Sequence, residues 1–222
     1  MVNLSQSINN KNLLKSRKLA SFTIVGIVIY ILMDIIVQLL PPHYNPLIQA
    51  ESDLTVGPYG YIMNINFIVR GLLSIALILS ICHIADQKYR IRIGIGFLSL
   101  WGICSLLLAF FNTDIFSFSQ PNVHLTFHGK MHLILAAIAF ICAPIGQILV
   151  TISFRKMPLL NSFIIPSLIL SLFTLLSFII MVPIDMKTSY LGLTERIFIG
   201  FTLLWFLVVA IKIRGSAEHK NV

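Results

Sequence analysis

The sequence predicts an all-α polytopic membrane protein: a bundle of six transmembrane helices with both termini in the cytoplasm. Three observations carry that expectation. Of the 222 residues, 57% are hydrophobic and only 11% charged, with a mean hydropathy of +0.92. A soluble domain carries about 25% charged residues, so this chain has too few to coat a water-facing surface. Six apolar runs approach the ~20 residues a helix needs to cross a bilayer, and the basic residues between them are sided. The same composition excludes disorder, coiled coil, collagen and a disulfide scaffold. Cys82, Cys104 and Cys142 lie within apolar runs with no CxxC, and read as small core residues.

The spans follow in order. Residues 20–40 come after Lys11, Lys15, Arg17 and Lys18, which look like a signal-peptide n-region. The run is too long, however, lacks a small-residue cleavage site and is followed by five more spans, so it reads as a retained helix. Pro41-Pro42 ends it, and Gly57-Pro58 precedes the second span, residues 61–84. Residues 93–111 form the third. Pro121 lies ahead of the fourth, 132–152, and Pro158 ahead of the fifth, 162–184. The sixth, 197–211, is somewhat short. Pro144 and Pro166 are expected to kink the fourth and fifth. No tail or loop is long enough to fold separately, so residues 1–222 read as one domain with tails at 1–19 and 212–222.

The net charge of +8 expresses topology here and does not call for a nucleic-acid partner. Lys11, Lys15, Arg17, Lys18, Lys88, Arg90, Arg92, Arg155, Lys156, Lys212, Arg214 and Lys220 fall on one side; Lys130, Lys187 and Arg196 fall on the other. The positive-inside rule makes the first side cytoplasmic. The segments Gly96–Trp101 (GFLSLW) and Gly200–Trp205 (GFTLLW) resemble each other and would run in opposite directions, as an inverted three-plus-three repeat requires.

Polar residues collect at the outer face. Glu51, Asp53, Asp114, Asp185 and Glu195 lie there with His43, His124, His128 and His132, whereas only Asp86 and Glu218 are acidic on the cytoplasmic side. For each loop carboxylate alone, a solvated face is the plain reading. Two charges lie deeper. Asp34 is about 9 Å below the outer end of the first span and Arg70 about 14 Å below the start of the second. A lone charge there costs at least ~2.5 kcal/mol, so an Asp34–Arg70 ion pair is the economical expectation. Tyr30, Gln38 and Asn66 offer polar neighbours on the same faces. Such a pair is either functional or a structural clamp.

His124, His128 and His132 recur every four residues, which places two imidazoles on one helix face where they can share a metal. Asp114 and Asp53 are the carboxylates nearest in the topology to complete a tetrahedral site, and zinc is the metal such a set would suit. The motif lacks the internal Glu of a zincin. A haem would need a histidine at matched depth on a facing span, but His83 sits at the opposite end. There is no Walker lysine, GxGxxG, GxSxG or GxxxG.

Residues 52–64 (SDLTVGPYGYIMN), with Phe67 and Arg70-Gly71-Leu72, resemble the first outer loop and second span of the family called domain of unknown function 998. Asp114, the stretch His128-Gly129-Lys130-Met131-His132 and the stretch Gly192-Leu193-Thr194-Glu195-Arg196 extend the likeness over nearly the whole chain. The resemblance implies a six-span protein of a prokaryotic cytoplasmic membrane. It marks Asp53, Asp114, His128, His132, Glu195 and Arg196 as recurring polar positions, and it implies no activity. A looser likeness is to the intramembrane hydrolases that include alkaline ceramidases and progestin-type receptors. Of their zinc set only His128, His132 and an acidic partner match; the early Ser-x-x-x-His is absent, since Ser80-Ile81-Cys82-His83 has another spacing on the other side.

Three functional expectations follow. The favoured one is a binding or transport module whose outer carboxylates, His128, His132 and Arg196 receive an ion, a lipid headgroup or a small polar molecule. The second is a metal-dependent hydrolase acting on a lipid at the outer leaflet, with His128, His132 and Asp114 on the metal. The third is an accessory subunit whose polar residues only fix helix packing.

Overall fold

The computed structural model of the chain describes residues 10–85, 89–114, 125–185 and 190–215. Asp86, Lys88, Pro121, His124, Lys187, Glu218 and Lys220 lie outside the described residues, as do the side chains of Arg90 and Asp185. Six α-helices account for the described fold: α1 (Asn10–Gln38), α2 (Gly60–Ile84), α3 (Tyr89–Leu108), α4 (Phe127–Ser153), α5 (Ile164–Asp185) and α6 (Leu191–Gly215). No strand occurs among the described residues. All six are long and apolar enough to span a membrane. With an even number of crossings, Asn10 and Gly215 lie at one end of the bundle, here the near end. The far end carries the α1–α2, α3–α4 and α5–α6 connections.

The start of α1 and both ends of α4 and α6 outrun the apolar windows. α1 starts ten residues before its window because Lys, Arg, Ser and Asn continue a helix into water at little cost. Hydropathy marks the part of a helix that meets lipid, not where its hydrogen bonding ends. Pro166 falls in the first turn of α5, where its missing N–H removes no helical bond, so that helix needs no kink there. Pro144 lies inside α4.

Each helix packs against the next, and α6 returns to α1 to close the ring. α2 is the inner helix: 61% of its apolar window is buried, against 22% for α5. A polar ladder joins α1 to α2 in antiparallel register. Ser16 and Ser80 donate to each other's backbone carbonyls at 2.8 Å. Thr23 donates to the Leu73 carbonyl at 3.1 Å, and Asn66 to the Tyr30 carbonyl at 3.1 Å. The α1 positions rise by seven as the α2 positions fall by seven, the repeat of a left-handed antiparallel pair. Each such bond between membrane helices contributes about 0.6 kcal/mol, so the ladder sets register more than it supplies stability. At the α2–α3 crossing a side chain on Gly71 would meet Leu106 and the Gly102 carbonyl within 3 Å, so only glycine allows that approach.

The two similar segments do not occupy equivalent places. Trp101 on α3 donates its indole N–H to Ser74 on α2 at 3.1 Å, whereas Trp205 on α6 donates to Thr151 on α4 at 3.1 Å. An inverted three-plus-three repeat would direct Trp205 to α5 as Trp101 is directed to α2. The likeness of the segments reflects a shared need for a buried indole with a hydroxyl acceptor.

Candidate ligand cleft at the seam of α1 and α6

The connection between α1 and α2 is far longer than the two to eight residues usual between bundle helices, and it folds back onto the bundle. A short 3₁₀ helix, Glu51–Thr55, forms its deepest part. The segment before it lies across the start of α6, whose first N–H groups have no partner within their own helix. Leu193 N–H donates to the Leu47 carbonyl at 3.1 Å and Gly192 N–H to the Ile48 carbonyl at 3.4 Å. A side chain at position 192 would strike the Pro46 and Gln49 carbonyls, so glycine permits this docking. Arg196 then fastens the segment. Its Nη1 donates to the carbonyls of Pro46, Gln49 and Gly192 at 3.1–3.2 Å, and its Nη2 to the Tyr44 hydroxyl at 2.7 Å. Burial holds the Tyr44 phenol well above its ordinary pKa, so it stays neutral.

Docking carries Glu51 into the bundle, where its side chain is 3% exposed. Tyr30 of α1 donates its hydroxyl proton to Glu51 Oε1, and Arg70 of α2 donates to Oε2 at 3.1 Å. The Glu51 N–H donates to Glu195 Oε2 of α6 at 2.8 Å. Arg70 is boxed by aromatic faces, with its guanidinium carbon 4.8 Å from the Phe67 ring centre and 5.2 Å from that of Trp101.

This corrects the expected Asp34–Arg70 pair: the carboxylate on Arg70 is Glu51. Side chains on a helix lean toward its N-terminus, so Arg70 reaches toward the far end, where the re-entrant turn supplies Glu51. Asp34 faces the seam between α1 and α6 instead. Its Oδ2 accepts from Gln38 at 2.5 Å, while its Oδ1 is buried without a hydrogen-bond partner.

At that seam lies a cleft of about 380 Å³. Tyr30, Asp34, Glu51 and Arg196 line its polar end, and Ile27, Ile31, Ile199, Leu203, Leu204 and Leu207 the remainder. From Arg196 to Leu207 it follows α6 for about 16 Å, half the thickness of a hydrocarbon core. Ile31, Gly200 and Leu204 on its rim are exposed, so the cleft opens sideways, toward where lipid would be.

The other expected site residues lie elsewhere. Asp53 is half-buried beside a smaller cavity lined by Pro41, His43, Tyr44 and Tyr59, and burial raises its carboxyl to about 6. Asp114 braces the start of α4: its Oδ2 accepts from Thr126 N–H at 2.7 Å and its Oδ1 from the Thr126 hydroxyl at 2.9 Å. Thr126 in turn caps α4 by accepting from Gly129 N–H at 3.0 Å. His132 is buried, and its Nδ1–H donates to the Phe111 carbonyl at 2.6 Å. His128 is exposed, against the rings of Phe111 and Phe127. Among the described residues, no three His, Cys, Asp or Glu side chains come together as a metal-ligand set.

Glu51 is the residue that sequence reasoning passed over. Its signal was the length of the connection that holds it: twenty residues between spans, rich in Pro, Gly and Tyr, fit a loop with packing of its own. With this architecture in place, the comparisons give a class. The family described as protein of unknown function (DUF998) matches residues 24–212, so the chain belongs to it and is an integral multi-pass membrane protein. Comparison with curated proteins and with solved structures gives no match to either.

Proposed function

We propose that this protein is a binding or transport module for a membrane amphiphile that enters the α1–α6 cleft sideways from the bilayer. One observation carries the reading: a cleft with charged and hydrogen-bonding groups at its far end and an aliphatic wall along the rest. That division matches a polar head at the membrane interface with a chain lying beside it. The volume is at the lower end of small-molecule sites, which run to roughly 300–1,000 Å³, and suits one hydrocarbon chain. The excess of basic residues at the near end supports a reading in which both termini are cytoplasmic and the polar end of the cleft lies at the outer leaflet. The hydrolase reading gains no comparable support, since Asp114 braces α4 and, among the described residues, His128, His132 and Asp114 do not come together as a metal-ligand set.

The test is co-purification. Gly200 lines the cleft, and a Cβ there meets nothing within 4 Å, so Gly200→Leu is the substitution chosen to add bulk at its rim. Mass spectrometry of wild-type protein extracted from its membrane is expected to find an enriched amphiphile that is lost from the variant. Identical lipid profiles for the two proteins would end the proposal.

A further inference from the structure

The polar end of the cleft holds one more carboxylate than guanidinium, and the difference points to a ligand class; the inference rests on the reading of the cleft as a binding site. Three carboxylates meet at this corner, Asp34, Glu51 and Glu195, with two guanidiniums, Arg70 and Arg196. Tyr30 and Tyr44 complete its titratable groups. Arg70 is engaged by Glu51 at 3.1 Å. Arg196 is turned to three loop and helix carbonyls and the Tyr44 hydroxyl, and its Nε, like that of Arg70, is buried without an acceptor. Glu195 holds the Glu51 N–H. Asp34 is left with a neutral amide on one oxygen, and its other oxygen is buried without a donor.

An unmet buried acceptor is costly, more so where the group is charged, and so is an ionised carboxylate without a counter-charge at membrane depth. One chemical group answers both deficits, a head that is cationic and donates N–H. We infer that the cleft takes a single-chain amphiphile with a protonated amine head. The ammonium pairs with the Asp34 carboxylate, and the chain lies along Ile27, Ile31, Ile199, Leu203 and Leu204. Related heads each lack something. A quaternary ammonium brings charge without N–H, an alcohol brings a donor without charge, and a carboxylate adds a fourth anion to the corner.

The experiment is equilibrium binding of tritiated dodecylamine to the full chain in phosphatidylcholine nanodiscs, with empty discs as background. Unlabelled dodecylamine, dodecyltrimethylammonium, dodecanol and dodecanoate serve as competitors, and wild type is compared with Asp34→Asn and Gly200→Leu. Saturable binding to wild type is expected, displaced best by dodecylamine. Loss of a charge-assisted bond in Asp34→Asn should weaken binding by about tenfold or more, and Gly200→Leu should remove it. Equal competition by dodecanol and no effect of Asp34→Asn, with binding still lost in Gly200→Leu, would overturn the amine class and leave the cleft standing. Binding unchanged in Gly200→Leu would overturn the cleft and the amine class together. No binding above empty discs would overturn the amine class, and co-purification then decides separately whether the cleft holds another amphiphile.

Discussion

Two corners at the far end use the same kinds of residue to opposite ends. At the α3–α4 corner, Asp114 accepts from the backbone and hydroxyl of Thr126, Thr126 caps α4, and His132 donates to the Phe111 carbonyl. Those bonds join neighbouring turns, and the corner is a built helix start. At the α1–α6 corner a long connection re-enters the bundle, and carboxylates from three segments crowd around two guanidiniums, with an open cleft beside them. One oxygen of Asp34 is left over. A carboxylate whose bonds are complete holds structure; one kept dry and incomplete next to a cavity is available to a ligand.

The sharpest way to break this comparison is to remove Glu51. Glu51→Ala leaves Arg70 buried without its counter-charge, and breaking a buried pair from one side costs about 3–5 kcal/mol. Thermal unfolding in detergent should show the largest loss of any single change described here. Adding Arg70→Met should recover part of it, and a double variant no more stable than the single would show that the pair is not what Glu51 supports.

Asp114→Ala should cost less, about 1 kcal/mol, the usual worth of a helix-start bond. Hydrogen exchange would locate the effect in the first turn of α4, and loss of protection at the α1–α6 seam would contradict the separation of the corners. The connection should also show a pH dependence of its own. Burial raises the Asp53 carboxyl from 3.8 to about 6, so the folded state holds the proton more tightly than the unfolded. The stability this residue contributes is therefore present at low pH and falls as pH rises from about 4 to 6. Asp53→Asn should flatten that part of the unfolding profile, and an unchanged profile would remove Asp53 from it.

The smallest stability effect belongs to Asp34→Asn. Its Oδ1 has no partner to lose, and the substitution removes a charge from a dry place, so stability should stay level or rise slightly. A loss comparable to that of Glu51→Ala would mean that Asp34 is structural, and the contrast between the corners would fail.

The six crossings were legible in the sequence because lipid imposes one local rule: a segment must be apolar for about 20 residues and satisfy its own backbone. That rule applies to each segment without reference to the others, so composition and run length were enough. The depth of Arg70 was equally local, as was the sense that a deep arginine needs a carboxylate.

Which carboxylate it takes was not local. Depth along a helix pointed to Asp34, but a partner is chosen by direction as well as depth, and nothing within α1 or α2 says that the connection between them turns back inward. That turn depends on Arg196 and the open N–H groups of α6, more than 140 residues away in the chain. Tertiary structure alone brought Glu51 to Arg70, turned Asp34 to the seam and opened a cleft beside it. Hydropathy is a property of a segment, whereas the balance of charge in a buried corner belongs to all the segments that meet there.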